Sequence, residues 1–373
     1  MNSRFRMFSS VMVLCALFLA VLFIHRRTQA ANALLNEFSY VMESSNQIQA
    51  FQLDVRGDYT PVAGSPFAAG DRPGSGASTP NGTYLYVPNL YDNNVSAYAI
   101  TDGALGPLSG SPYPAGSGPA EAILSNNGLV FVSDCGPACG GSGSTVGISV
   151  YYAASGSGQL TQAPGSPFSG GLSQPIPLAL DPSNQYLYVG DAETVAAFSI
   201  GKRGSLTPVP GSPYNIGGLS LGLAVNSSLD LLYVANSSLN NISVFSINPE
   251  TGALSPIQGS PFTASGSPDG IAIDATNRFL YAAATDGVEG YAIGATGALT
   301  PLAGSPFGGA AAQNYSGMEI DRSNRFIYVG SFYTTLNLGF SINSSTGALT
   351  ALPGSPFQLL ASPTGGALSP KPR

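Results

Sequence analysis

Two glutamates stand among small or apolar neighbours: Glu121 in Pro119-Ala120-Glu121-Ala122-Ile123-Leu124 and Glu319 in Gly317-Met318-Glu319-Ile320. A carboxyl in such surroundings reaches water, works as an acid or base with a shifted pKa, or shares a hard cation with other oxygens. Glu43, directly after Tyr40-Val41-Met42, is a third candidate for a catalytic carboxyl. The one histidine, His25, precedes everything that reads as the folded part, so no Ser-His pair is available. No phosphate-cradling glycine loop or nucleophile elbow occurs either. Oxygen-only ligands would suit Ca²⁺, and no other cofactor is expected. Cys135 and Cys139 are close enough in sequence to staple one loop as a disulfide, whereas two thiols without histidine do not complete a zinc site.

The elements that must position these residues follow from a repeat. Gly-Ser-Pro followed by an aromatic begins at Gly64, Gly110, Gly165, Gly211, Gly259, Gly304 and Gly354, at the spacing of four-stranded propeller blades. Between Pro268 and Phe307 the pieces are Gly270-Ile271-Ala272-Ile273, Phe279-Leu280-Tyr281-Ala282, Val288 to Ile293, and Ala298 to Leu302, separated by Asp, Asn and Gly turns. The second piece recurs as Tyr84-Leu85-Tyr86-Val87, Tyr186-Leu187-Tyr188-Val189, Leu231-Leu232-Tyr233-Val234 and Phe326-Ile327-Tyr328-Val329. Proline at 61, 208, 256 and 301 falls in the fourth piece, the outer edge, where a missing N–H breaks no central ladder. Three strands precede the first Gly-Ser-Pro and one, Thr364 to Leu368, follows the last. The expectation is an all-β, seven-bladed propeller of four antiparallel strands per blade, closed by that C-terminal strand pairing with Phe38 to Met42.

In such a ring, the loops joining second to third strands and fourth to next first strands open on one face around the channel. Sorting polar residues by loop puts Arg72, Asn89, Tyr91, Asp92, Asp191, Asp269, Asp286 and Glu289 on or near that face, as a ligand-binding surface. Asp71, Asp134 and Glu193 join them, and Arg72 is the main cation. Asp181, Asp274 and Asp321 fall in the opposite turns and read as turn stabilisers.

Residues 1–30 are a separate object: Arg4 and Arg6, an apolar run from Val11 to Ile24, then Arg26, Arg27 and Thr28-Gln29-Ala30. They read as a signal peptide or an N-terminal membrane anchor, with residues 31–373 as one propeller domain outside the cytoplasm, secreted, periplasmic or anchored. Beyond that segment, nine basic residues face 20 acidic ones, which disfavours nucleic acid as a partner. Asn81, Asn226, Asn236, Asn241, Asn314 and Asn343 head glycosylation sequons, which matter only in a suitable host.

Leu-Tyr-Val in second strands, the Thr-Gly-Ala-Leu-Thr turn and the Gly-Ser-Pro-Phe ending resemble the seven-bladed lactonase propellers, which include 6-phosphogluconolactonase-like proteins and overlap the YVTN repeats. The likeness runs from Leu35 to Leu368. The resemblance implies catalytic groups in a Pro-Arg-His at an inner strand and an Asn-Glu after a second strand. This chain has Pro268-Asp269-Gly270, Pro119-Ala120-Glu121 and Pro363-Thr364-Gly365 at the first kind of position, and Pro88-Asn89-Leu90, Ala235-Asn236-Ser237 and Met42-Glu43-Ser44 at the second. The expected function is therefore a monomeric, non-catalytic scaffold binding a protein, glycan or small molecule on the channel face, touching a membrane only through residues 1–30. The alternative is a sugar-lactone hydrolase using channel carboxylates, with or without a divalent cation.

Overall fold

Short runs of β-branched and aromatic residues cut by Gly, Asn and Asp favour strands. The computed structural model, described over residues 34–309 and 315–371, folds them into seven antiparallel sheets. The leader expected at 1–30 and the sequon at Asn314 lie outside the described residues. The sixth sheet shows the plan. Ile271–Ile273 faces the channel, and Phe279–Ala284, Gly287–Ile293 and Leu299–Pro301 follow outward in order. Second strands such as Leu231–Asn236 and Phe279–Ala284 are buried along their whole length, because the neighbouring blades cover both faces.

The ring closes as expected. Pro363–Pro370 pairs antiparallel with Leu34–Glu43, with Tyr40 opposite Ala367, and becomes the innermost strand of the first blade. Gln47–Asp54 and Tyr59–Pro61 complete that sheet outward. The chain's two ends thus share one sheet, and no blade edge is left open at the seam.

Four strands per blade needs one addition. After each outer strand the Gly-Ser-Pro turn sends the chain back to the third strand. Phe67–Ala68, Tyr113–Pro114, Tyr214–Asn215, Phe262–Thr263 and Phe357–Gln358 pair there as a short fifth strand, and Phe168 and Phe307 form single bridges. The turn serine fills the gap between the fourth and fifth strands. Ser65, Ser111, Ser166, Ser212, Ser260, Ser305 and Ser355 each accept, through Oγ, a third-strand N–H at 2.8–3.0 Å. Those N–H groups would otherwise lack a ladder partner.

A second repeated joint ties blade to blade. The second-strand hydroxyls of Tyr40, Tyr86, Tyr188, Tyr233, Tyr281 and Tyr328 donate to the carbonyls of Gly103, Gly158, Gly252, Gly297, Gly347 and Gly57 in the next blade. Each of these glycines sits in the turn between third and fourth strands with positive φ, the left-handed region that glycine enters without a Cβ penalty.

Candidate functional site

The first strands of the blades converge on a central cavity of about 690 Å³. Convergence restricts its wall to small residues: a Cβ at Gly74 would lie 2.0 Å from the Ala120 carbonyl oxygen, and one at Gly222 2.4 Å from that of Asp269. The charged groups on this lining are Glu121, Asp269, Glu319, Arg72 and Arg322.

Glu121 and Glu319 line the channel from the first strands of the third and seventh blades. Glu121 Oε2 accepts the N–H of Leu178 at 3.3 Å, in the first strand of the next blade. For Glu319 the neighbouring Leu368 N–H, again one blade on, favours the charged form. Burial pushes Glu121 up to about 8 against the Leu178 bond. Burial, with the charge of Glu37 adding to it, pushes Glu319 up to about 8 against the Leu368 N–H. Both carboxyls are therefore protonated through much of the neutral range. Asp269 is half-buried, is raised by burial, and accepts Ser237 Oγ at 2.9 Å.

The other predicted face residues divide into two groups. Glu43, Asn89, Asp191 and Glu289 are buried at the junctions between strands and connecting loops. Glu43 Oε1 accepts the N–H groups of Leu360 and Ala361, both at 3.1 Å. Asn89 Oδ1 accepts the Gly70 N–H at 3.1 Å. Asp191 receives the N–H groups of Ser173 and Gln174, and Glu289 Oε1 those of Ser265 and Gly266 at 2.8 and 2.7 Å. Asp286 Oδ2 accepts Ser265 Oγ at 2.8 Å, holding the same loop. These carboxyls and the Asn89 amide tie down the loops that shape the mouth.

Arg72, Tyr91 and Asp92 belong to the second group, on the open face. The Arg72 guanidinium carbon lies 6.0 Å from the Tyr91 ring centroid, within reach of a cation–π contact. Asp92 Oδ2 accepts the Asp71 N–H at 2.8 Å. Cys135 and Cys139 are joined as a disulfide across a 3₁₀ turn, Cα–Cα 5.8 Å, and Cys139 borders the cavity beside Arg72 and Leu90. The turn acids behave as expected: Asp274 is pulled down, burial being outweighed by bonds from Thr276, Phe279, Asn324 and Arg278. Among the described residues no cluster of three or more His, Cys, Asp or Glu side chains is disposed to hold a metal.

Sequence reasoning missed three polar residues of the blade 7–blade 1 seam: Ser39, Tyr59 and Asn337. It also missed Glu37, which accepts the Arg322 N–H and is pushed up to about 7 by burial.

The family model described as lactonase, 7-bladed beta-propeller matches residues 138–247 and 240–352. The chain belongs to this family. A periplasmic gluconolactonase of Pseudomonas aeruginosa superposes with a TM-score of 0.73 at 16% identity, over 90% of this chain and 100% of that one. A Lactobacillus plantarum protein gives 0.72 at 18% identity, over 89% and 98%. Virginiamycin B lyase of Staphylococcus aureus gives 0.54 at 14%, over 80% and 94%. At these identities the likeness is one of fold, and the matches include proteins named as a lactonase and as a lyase. No curated protein matches the sequence significantly.

Proposed function

We propose that this lactonase-family propeller works outside the cytoplasm as a binding scaffold, presenting the mouth of its channel to a protein, a glycan or a small molecule. One observation carries the reading: the acids that would do chemistry are engaged in holding backbone. Glu43, Asp191 and Glu289 secure connecting loops, while Glu121 ties its strand to the inner strand of the next blade. Among the described residues the ion pairs are Arg56 with Asp54 and Asp58, and Lys371 with Asp102, so no channel carboxyl has a cation beside it. The rim supports recognition. Tyr91, Leu239, Phe332, Tyr333 and Leu360, all in loops of the mouth face, are exposed, and aromatic faces of this kind suit sugar rings and peptide side chains. The apolar run from Val11 to Ile24 supports delivery across a membrane, and the acidic balance supports a partner other than nucleic acid.

A second reading, lactone hydrolysis, is favoured by the Glu121 carboxyl at about 8 in an open channel, fit to protonate a leaving group. The test is a hydrolysis screen over sugar and acyl lactones, with and without Ca²⁺. The scaffold reading expects no turnover above buffer. Turnover that disappears in Glu121→Gln or Glu319→Gln would reverse it.

A further inference from the structure

Four residues break the sevenfold repeat at apolar positions, and all four meet in the seam between the seventh and first blades. Asn337, paired with Gly330 and Phe357, holds the register of Ile48, Val95, Ile148, Val195, Ile242 and Val288 in the other blades. Ser39 stands where those blades carry Leu85, Val130, Leu187, Leu232, Leu280 and Ile327. Tyr59 replaces a leucine that recurs at 105, 160, 206, 254, 299 and 349. Glu319 takes the place of Ala77, Ile123, Ala179, Ala224, Ala272 and Ala367.

Three of these side chains are hydrogen-bonded together, and Glu319 is near enough for its charge to act on Tyr59. Ser39 Oγ and the Tyr59 hydroxyl are 3.0 Å apart, and Asn337 Nδ2 donates to that hydroxyl at 2.9 Å. Tyr59 is held by stacking on Phe51 and Phe357, with centroids at 4.5 and 4.3 Å. Asn337 is 4% exposed, yet its Oδ1 has no hydrogen-bond partner among the described residues. Tyr328, Gly330 and Asn337 line the same cavity as Glu319, so the channel extends sideways into the seam. An unpaired buried amide oxygen is destabilising, which an apolar residue at this register would avoid.

We propose that this seam pocket binds a primary ammonium group, either ammonium itself or the head of a small amine. The acceptors left over are Asn337 Oδ1 and the remaining lone pairs of Glu319, beside the hydroxyls of Ser39 and Tyr59 that bond each other. An ammonium offers N–H donors and a positive charge, and Glu319 has no cation paired with it. One carboxylate among neutral oxygens carries too little charge for a strong Ca²⁺ site. The upward shift of Glu319 fits a carboxyl built for a cation and lacking one, and binding would reverse it.

The test uses the full chain in thermal melts and calorimetric titrations with ammonium, methylammonium, sodium, calcium and tetramethylammonium chlorides at matched ionic strength. Ammonium and methylammonium are expected to raise Tm and to bind saturably, the others not. Asn337→Val and Glu319→Ala restore the residues of the other blades, so both should fold, melt no lower than the parent without ligand, and bind at least about tenfold more weakly. An equal response to sodium or tetramethylammonium, a preference for calcium, no binding by any member of the panel, or undiminished binding by Asn337→Val would each overturn the proposal.

Discussion

The hydroxyl of Tyr328 donates to the carbonyl of Gly57 at 2.7 Å, joining residues 271 positions apart. The bond crosses the seam where the chain's ends meet, yet it is the joint used between Tyr188 and Gly252 or Tyr233 and Gly297 inside the ring. Only the third blade lacks it, because Phe131 stands where the others carry tyrosine. The closing interface is thus built on the same plan as the rest, with the polar substitutions of the seam laid over it.

Removing that hydroxyl should cost measurable stability. Tyr328→Phe leaves a buried carbonyl without its donor, a loss of about 1–2 kcal/mol, or a fall in Tm of roughly 2–4 °C. Tyr233→Phe should cost a similar amount. Paired melting curves of the two variants check this, and an unchanged Tm for Tyr328→Phe would mean the joint contributes nothing at the seam.

Deleting Pro363–Arg373 should be far more damaging. It removes the innermost strand of the first blade and exposes the edge of Leu34–Glu43. Tm should drop by roughly 10 °C or more, or cooperative melting should be lost. Differential scanning calorimetry reads either result. A melting curve like the parent's would show that the ring closes elsewhere.

The blade count, the closing strand and the protective outer prolines were legible because each rests on local turn chemistry repeated seven times. Side-chain assignments were less so. The serine of Gly-Ser-Pro reads as a turn residue, and its service to a third-strand N–H is visible only once that strand lies beside it. Glu121 sits next to a register shift between Pro119 and Glu121, so alternation alone does not say which neighbour it meets. Glu43 and Glu289 read as open channel-face groups, but loop backbones fold over them and engage their lone pairs. Asn337 looks ordinary in Leu336-Asn337-Leu338-Gly339-Phe340 until aligned with Val95 and Ile242, an alignment of third strands that the sequence permits.

Stability should respond to pH through the buried acids. Glu121, Glu319 and the fully buried Asp134 are raised to about 8, chiefly by burial. The native state then keeps protons that the unfolded chain releases above about pH 4, so these groups lower stability as pH rises from there to about 8. Glu319→Gln carries no such penalty. Its Tm relative to the parent should therefore increase between pH 5 and pH 8, in a series of melts across that range; a difference independent of pH would contradict the assignment.

The Cys135–Cys139 disulfide closes a very short loop, so its effect on the whole fold should be small, about 2 kcal/mol at most. Its effect on the insertion before Gly147–Ala153 should be larger, since Gly118 and Gly136 pack the turn against the mouth. Reduction is expected to speed amide exchange across 135–146 while leaving second-strand amides protected. Mass spectrometry of exchange, with labelling at Cys135 and Cys139 only after reduction, checks both points.

The serine of the turn offers the most demanding check on the blade design, because its role repeats seven times and predicts an effect independent of blade. Ser260 Oγ accepts the N–H of Val244 at 2.8 Å, and Ser355 Oγ that of Gly339 at 3.0 Å. Alanine at either site leaves the third-strand N–H unpaired beneath the turn, at about 1–2 kcal/mol each. The two sites lie in different blades and share no partner, so the double variant should lose the sum of the two single effects. Urea titrations of the parent, the singles and the double read this directly. Singles that melt like the parent would show that water replaces the serine, and the motif would then be kept for its turn geometry alone.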